Sequence, residues 1–129
     1  MGNIFEIIDT HCHMDLVQFS SDLDRTLSRS WRNGVTDFVV PGCHRSGWER
    51  ILKICKTRPG LHPSLGLHPA YLDFHGDEDV EELRELGRRN RLVAIGEIGL
   101  DFQEGMERSK EQQNLFEQQL SSNPGLMNR

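Results

Sequence analysis

No run in this sequence approaches the roughly 18 consecutive apolar residues that a membrane-crossing helix requires. The opening MGNIFEIIDT also lacks the basic stretch and apolar core of a secretory signal. No membrane partner is expected, and the expected location is the cytoplasm. Met1-Gly2 is not a myristoylation signal, because the sixth position is Glu6 rather than Ser or Thr. Cysteine is scarce: Cys12, Cys43 and Cys55 are odd in number and form no Cys-x-x-Cys pair, so they read as reduced thiols, outside any disulfide framework or cysteine zinc site. Basic residues are outnumbered, 15 Lys and Arg against 20 Asp and Glu, for a formal net charge of −5. That balance excludes holding nucleic acid through a broad basic surface. It leaves open a phosphodiester held through metal ions. Long low-complexity runs are absent too, and 36% apolar with 27% charged residues is a globular composition.

A chain of 129 residues is ample for one domain with a real core and short for two, so 1–129 reads as a single domain. Along it, a short β-rich apolar run is followed four times by a stretch with helical spacing, which is the plan of βα units around a parallel sheet. The first strand is read as Ile4 to Asp9, with a helix from Asp22 to Asn33 carrying Leu23, Leu27 and Trp31 on one stripe until Gly34 ends it. The second strand, Thr36 to Val40, stops at Pro41-Gly42. A helix from Gly47 to Arg58 then places Trp48, Ile51, Leu52 and Cys55 on one face. A third strand, Leu61 to Gly66, leads through Leu67-His68-Pro69 to a helix that starts acidic, DEDVEEL, and ends basic, RRNR; these charges suit the helix dipole and read as solvated helix ends. The fourth strand, Leu92 to Ile95, enters GEIGLDF. Ser109 and Gln112 then form a Ser-x-x-Gln capping box for a helix through Leu115, Phe116 and Leu120. Residues 121–129 break the pattern as an atypical tail of turn-forming residues.

The chemistry gathers where strands end. In Asp9-Thr10-His11-Cys12-His13 the side chains alternate, so His11 and His13 project to one side and Cys12 to the other. With six histidines in 129 residues such a pair arises about 0.3 times by chance, so spacing alone is weak. Its position is what counts, since parallel α/β folds build their sites at the carboxyl ends of strands. Glu97 holds the equivalent place after the fourth strand. Gly96 and Gly99 permit a tight backbone there and leave the carboxylate open. His11, His13 and Glu97 are the candidate metal ligands, and Glu97 is also the candidate catalytic carboxylate, able to bridge two ions. Three residues are placed as substrate contacts or supports of the ligands. Asp9 is positioned to orient a ligand through a hydrogen bond. Asp101 reads equally as an orienting acid or a turn acid, and His68 as a phosphate contact or a plain loop histidine. Asp15 reads as a surface or capping residue, and His44, His62 and His75 have no evident pairing.

With DTHCHMD, GLHP and GEIGLDF in this order, the sequence resembles the TatD family of metal-dependent hydrolases, a branch of the amidohydrolase-like barrels, from about Ile4 to Leu120. The resemblance implies a TIM-type (βα)8 barrel, of which the four units here are the first half, and metal-dependent deoxyribonuclease activity. It carries metal ligation onto His11 and His13 and the bridging role onto Glu97. It also implies two divalent cations per complete site, Mg²⁺, Mn²⁺ or Zn²⁺, acting on DNA or another phosphodiester. The family completes its site with two histidines and an aspartate from later strands that this chain does not contain. The expectation is therefore a truncated barrel, inactive alone, whose open edges favour a dimer or a complementary half-barrel. Two rival readings are another amidohydrolase-like barrel hydrolase, which GEIGLD disfavours, and a non-catalytic metal-binding or interaction fragment.

Overall fold

The computed structural model describes residues 5–122. Four parallel strands lie side by side in chain order: β1 (Ile7–Asp9), β2 (Val35–Pro41), β3 (Leu61–Leu65) and β4 (Ala94–Ile95). Each precedes a helix: α1 (Leu23–Arg32), α2 (Arg45–Thr57), α3 (Asp79–Arg89) and α4 (Ser109–Leu120), with short 3₁₀ turns at Val17–Phe19 and Pro69–Phe74. Sequential parallel neighbours joined through helices are four consecutive βα units, which is half of the wall of a (βα)8 barrel. No helix among the described residues is long and apolar enough to cross a membrane.

The central seam carries the core. Phe38 and Val40 of β2 alternate inward, at 2% and 0% exposure, and pair in register with β3, Phe38 opposite Leu61 and Val40 opposite Pro63. Against them α2 buries Trp48, Ile51 and Ile54. Leu52 and Cys55, expected on that face, are only partly buried at its flank, and Ile54 takes the deep position. The buried Trp48 indole donates to the Gly66 carbonyl at 3.2 Å, so its one polar group is satisfied. Each fully buried side chain of this kind stabilises the fold by about 1.5–3 kcal/mol.

Several boundaries differ from the sequence reading. β1 begins at Ile7, and Ile4 lies outside the described residues, as do residues 123–129 of the expected tail. β4 is confined to Ala94–Ile95, where it pairs with Ser64 and Leu65 of β3 and, among the described residues, with no strand on its other side. α2 starts at Arg45, ahead of Gly47. Trp31 leaves the α1 stripe and is 42% exposed, because its indole reaches past Gly34, held at φ +87°, to donate to the Thr36 carbonyl at 3.2 Å. In α3 the acid-to-base order is as expected, yet Asp79 is buried, accepting from the Gly76 amide at 2.9 Å and from Arg45 at 3.3 Å.

The last helix departs most. Ser109 is its first residue rather than its cap, and no side chain caps its N-terminus. Gln112 is turned inward instead. Its amide accepts from the Asp101 N–H at 2.8 Å and donates to the Asp101 carbonyl at 2.7 Å. Gln119, at 1% exposure, does the same for Leu67, accepting from its N–H at 2.7 Å and donating to its carbonyl at 3.1 Å. Leu120 is 53% exposed.

Candidate metal centre

All the candidate ligands stand just past the carboxyl ends of the strands, and a backbone ladder continues beyond the strands to hold them. The Cys12 N–H donates to Val39, the Gly42 N–H to Ser64 at 2.7 Å, the His68 N–H to Cys43 at 2.8 Å and the Glu97 N–H to Gly42 at 2.9 Å. Gly42 thus links β3 to the Glu97 loop through both of its backbone groups. Gly66 permits a close approach here. A Cβ there would lie 2.8 Å from the Glu97 carbonyl oxygen and 2.8 Å from the Gly96 carbonyl carbon, so only glycine lets this loop close over β3. The Ser64 hydroxyl adds a bond to the Gly96 carbonyl at 2.9 Å.

This frame brings His11, His13 and Glu97 together. The two Nε2 atoms are 3.3 Å apart, and Glu97 Oε2 lies 3.5 Å from each. Donor atoms about 2.0–2.2 Å from one ion, at tetrahedral or octahedral angles, stand about 3–3.5 Å from one another. The triangle formed by these three atoms therefore fits a single divalent cation, and two imidazoles with one carboxylate are a donor set that Zn²⁺ and Mn²⁺ both accept. The other carboxylate oxygen, Oε1, faces His68 Nε2 at 3.3 Å. Cys43 completes the surround, with its thiol donating to Glu97 Oε2 at 3.4 Å. Burial, then the Glu97 charge and this hydrogen bond, push the thiol up to about 12, so at neutral pH it stays protonated. It serves as a donor to the carboxylate.

The remaining residues are distributed around this cluster. Asp9 accepts from the His11 backbone N–H at 3.0 Å, fixing the turn rather than the ring. Cys12 points the other way and packs against the core. Asp15 is no surface residue. Its side chain is 17% exposed, and its buried Oδ1 lies 3.9 Å from His13 Nδ1 without a hydrogen-bond partner among the described residues. A carboxylate on the Nδ1 side favours the tautomer that leaves the Nε2 lone pair free for a cation. Asp101 turns its carboxylate to the Gln103 N–H at 3.0 Å and lies outside the cluster. His75 donates to the His68 carbonyl at 2.8 Å, and His62 pairs with Asp37 at 2.6 Å at the opposite end of the strands. Sequence reasoning missed Cys43 and Asp15. The signal available for Cys43 was its place directly after the second strand, equivalent to those of His11 and Glu97.

Residues 8–123 match the family model described as TatD related DNase. The chain belongs to that family. Among its TatD relatives is the uncharacterized metal-dependent hydrolase YjjV of Escherichia coli, 37% identical over 119 residues, a stretch that covers 91% of this chain and 46% of that protein. The crystal structure of YjjV superimposes with a TM-score of 0.85 at 38% identity, covering 92% of this chain and 47% of that one. A second relative, the 3'-5' ssDNA/RNA exonuclease TatD of Musicola paradisiaca, is 31% identical over 116 residues, covering 89% of this chain and 44% of its own length. The chain spans about half the length of the curated TatD relatives it matches.

Proposed function

We propose that this chain carries the first metal site of a phosphodiester hydrolase acting on nucleic acid, with His11, His13 and Glu97 as ligands. The observation that supports this most strongly is the triangle of two imidazole nitrogens and one carboxylate oxygen with sides of 3.3 to 3.5 Å, at the carboxyl edge of a parallel sheet. The names of two relatives point the same way, metal-dependent hydrolase for that of E. coli and ssDNA/RNA exonuclease for that of M. paradisiaca. When bound, a divalent cation supplies acidification of water and neutralisation of phosphoryl charge. The protein's part is to set the donors. His11 and His13 would present Nε2 lone pairs, the Cys43 thiol orients Oε2, and His68 holds Oε1.

Three donors leave much of a coordination shell open. The sheet is open as well. Ile7 and Ile8 on β1 are 50% and 60% exposed, and beside β4 so are Val93, Leu100 and Phe102 in part. Among the described residues the outer edges of β1 and β4 have no strand partner, and such edges with apolar neighbours favour pairing with a second four-stranded half, supplied by another copy or by a complementary segment. We assign hydrolysis to that paired assembly. The test joins calorimetric titration with Mn²⁺ and Zn²⁺, sedimentation, and cleavage of a labelled single strand. Binding by the chain, lost in His13→Ala, with cleavage only in paired assemblies and not in Glu97→Gln, is the expected result. Absence of binding for both metals sinks the site, and a well-folded monomer sinks the pairing. Tight binding by an assembly that never cleaves would select a metal-binding module instead.

A further inference from the structure

We propose that Tyr71, flanked by His44 and Phe74, is a stacking platform for one unpaired nucleobase, beside the phosphate position at His11, His13 and Glu97. This rests on the phosphodiester reading and adds the part of the substrate that is not phosphate.

A cavity of about 260 Å³ opens next to the metal centre, lined by His13, Cys43, His44, Tyr71, Pro41 and Ile51 among others. It shares His13 and Cys43 with the centre, so an occupant would lie directly beside a phosphate held there. Among the described residues no Lys or Arg lines it, and Asp15 does. A phosphate is therefore a poor occupant and a neutral flat ring a good one. Tyr71 is the chain's single tyrosine. Its ring meets His44 and His68 edge to face, each at 5.6 Å between centroids, and Phe74 at 6.2 Å. His68 in turn touches Glu97 Oε1 at 3.3 Å. The tyrosine thus stands one imidazole away from the carboxylate, much as a base stands one sugar away from its phosphate. Tyr71 is 39% exposed and Phe74 76%, so neither ring is enclosed in the core.

Aromatic side chains at the mouth of a phosphodiester site stack bases of any identity, because every base has a π face. In a duplex that face is covered by neighbouring pairs, which makes a single strand the fitting ligand. The reading needs no basic groove, in keeping with the net charge of −5.

The test is fluorescence anisotropy with Mn²⁺ present, comparing a phosphorothioate-linked oligothymidylate with an abasic strand of equal length and charge. The wild type is expected to bind the base-bearing strand roughly tenfold more tightly. Tyr71→Ala should erase that difference while leaving abasic binding unchanged, and Tyr71→Phe should keep it. Phe74→Ala, at a highly exposed position, gives a second variant that reduces the difference even where Tyr71→Ala folds poorly. Tyr71→Ala with the full base-dependent gain, or with equal weakening on both strands, overturns the platform. Equal wild-type affinity for the two strands overturns it too and leaves the phosphodiester reading intact. If Mn²⁺ binds but neither strand does, the phosphodiester reading falls and the platform falls with it.

Discussion

Helices α2 and α4 are held by opposite means, α2 against the sheet and α4 against the loops beyond it. α2 buries an apolar stripe, Trp48, Ile51 and Ile54, against β2 and β3. α4 buries two glutamines two turns apart, and each amide clasps the N–H and carbonyl of one loop residue, Asp101 or Leu67. Apolar burial is non-directional and tolerates small shifts. A two-point amide clasp fixes position and orientation at once. The difference teaches where the molecule places stability and where it places geometry: α2 holds the fold together, and α4 sets the loops next to His68 and Glu97.

Substitutions on each side can break this contrast. The largest expected effect is on the α2 side, where Trp48→Ala should lower unfolding free energy by about 3–5 kcal/mol in urea melts, with a general loss of cooperativity. Next, His13→Ala should weaken cation binding by about a hundredfold or more in calorimetry, while changing stability by less than about 0.5 kcal/mol. On the α4 side, Gln119→Leu strands the Leu67 N–H and carbonyl. It should cost about 1–3 kcal/mol and also reduce cation affinity through His68, a double readout that Trp48 variants at matched stability should not show. Equal effects on affinity from both helices would dissolve the contrast.

The smallest effect comes from Asp37, at the far end of the strands. Hydrogen bonds from His62 and then from the Thr36 hydroxyl hold its carboxyl below the usual carboxylate range. A folded value below the unfolded one means that this contribution is present above the unfolded pKa, near 4, and is lost as pH falls through the folded value. Asp37→Asn should flatten that part of the acid limb in pH-dependent melts, and only slightly, because the pair is more than one-third exposed.

What could be read from the sequence follows the same division. The second strand and part of the α2 stripe were legible because burial imposes a period, and Trp48 and Ile51 stand where that period puts them. His11, His13 and Glu97 were legible as candidates because local spacing and flanking glycines mark them, and the structure brings their donor atoms together. The thiol of Cys43 reaches Glu97 across 54 residues, and no local pattern encodes that contact. Gln112 was misread as half of a capping box. Its amide satisfies two backbone groups of Asp101, a better outcome than the single bond a cap offers, and nothing between residues 101 and 112 announces it. Asp79 was misread for a similar reason: an acid at a helix start usually faces solvent, but here Arg45 and the Gly76 amide draw it inward.

Gly42 passes the ladder from β3 to the Glu97 loop through its two backbone groups. The donor atoms are therefore brought together by folding alone, so on the proposed reading capture of an ion should order little further chain. Hydrogen exchange should then be nearly the same with and without metal at the Gly42, His68 and Glu97 amides, and cation association should be limited by loss of water from the ion rather than by rearrangement of the protein. Such a result would make the proposed centre a preorganised receptor, with selectivity among metals set by the size of the triangle.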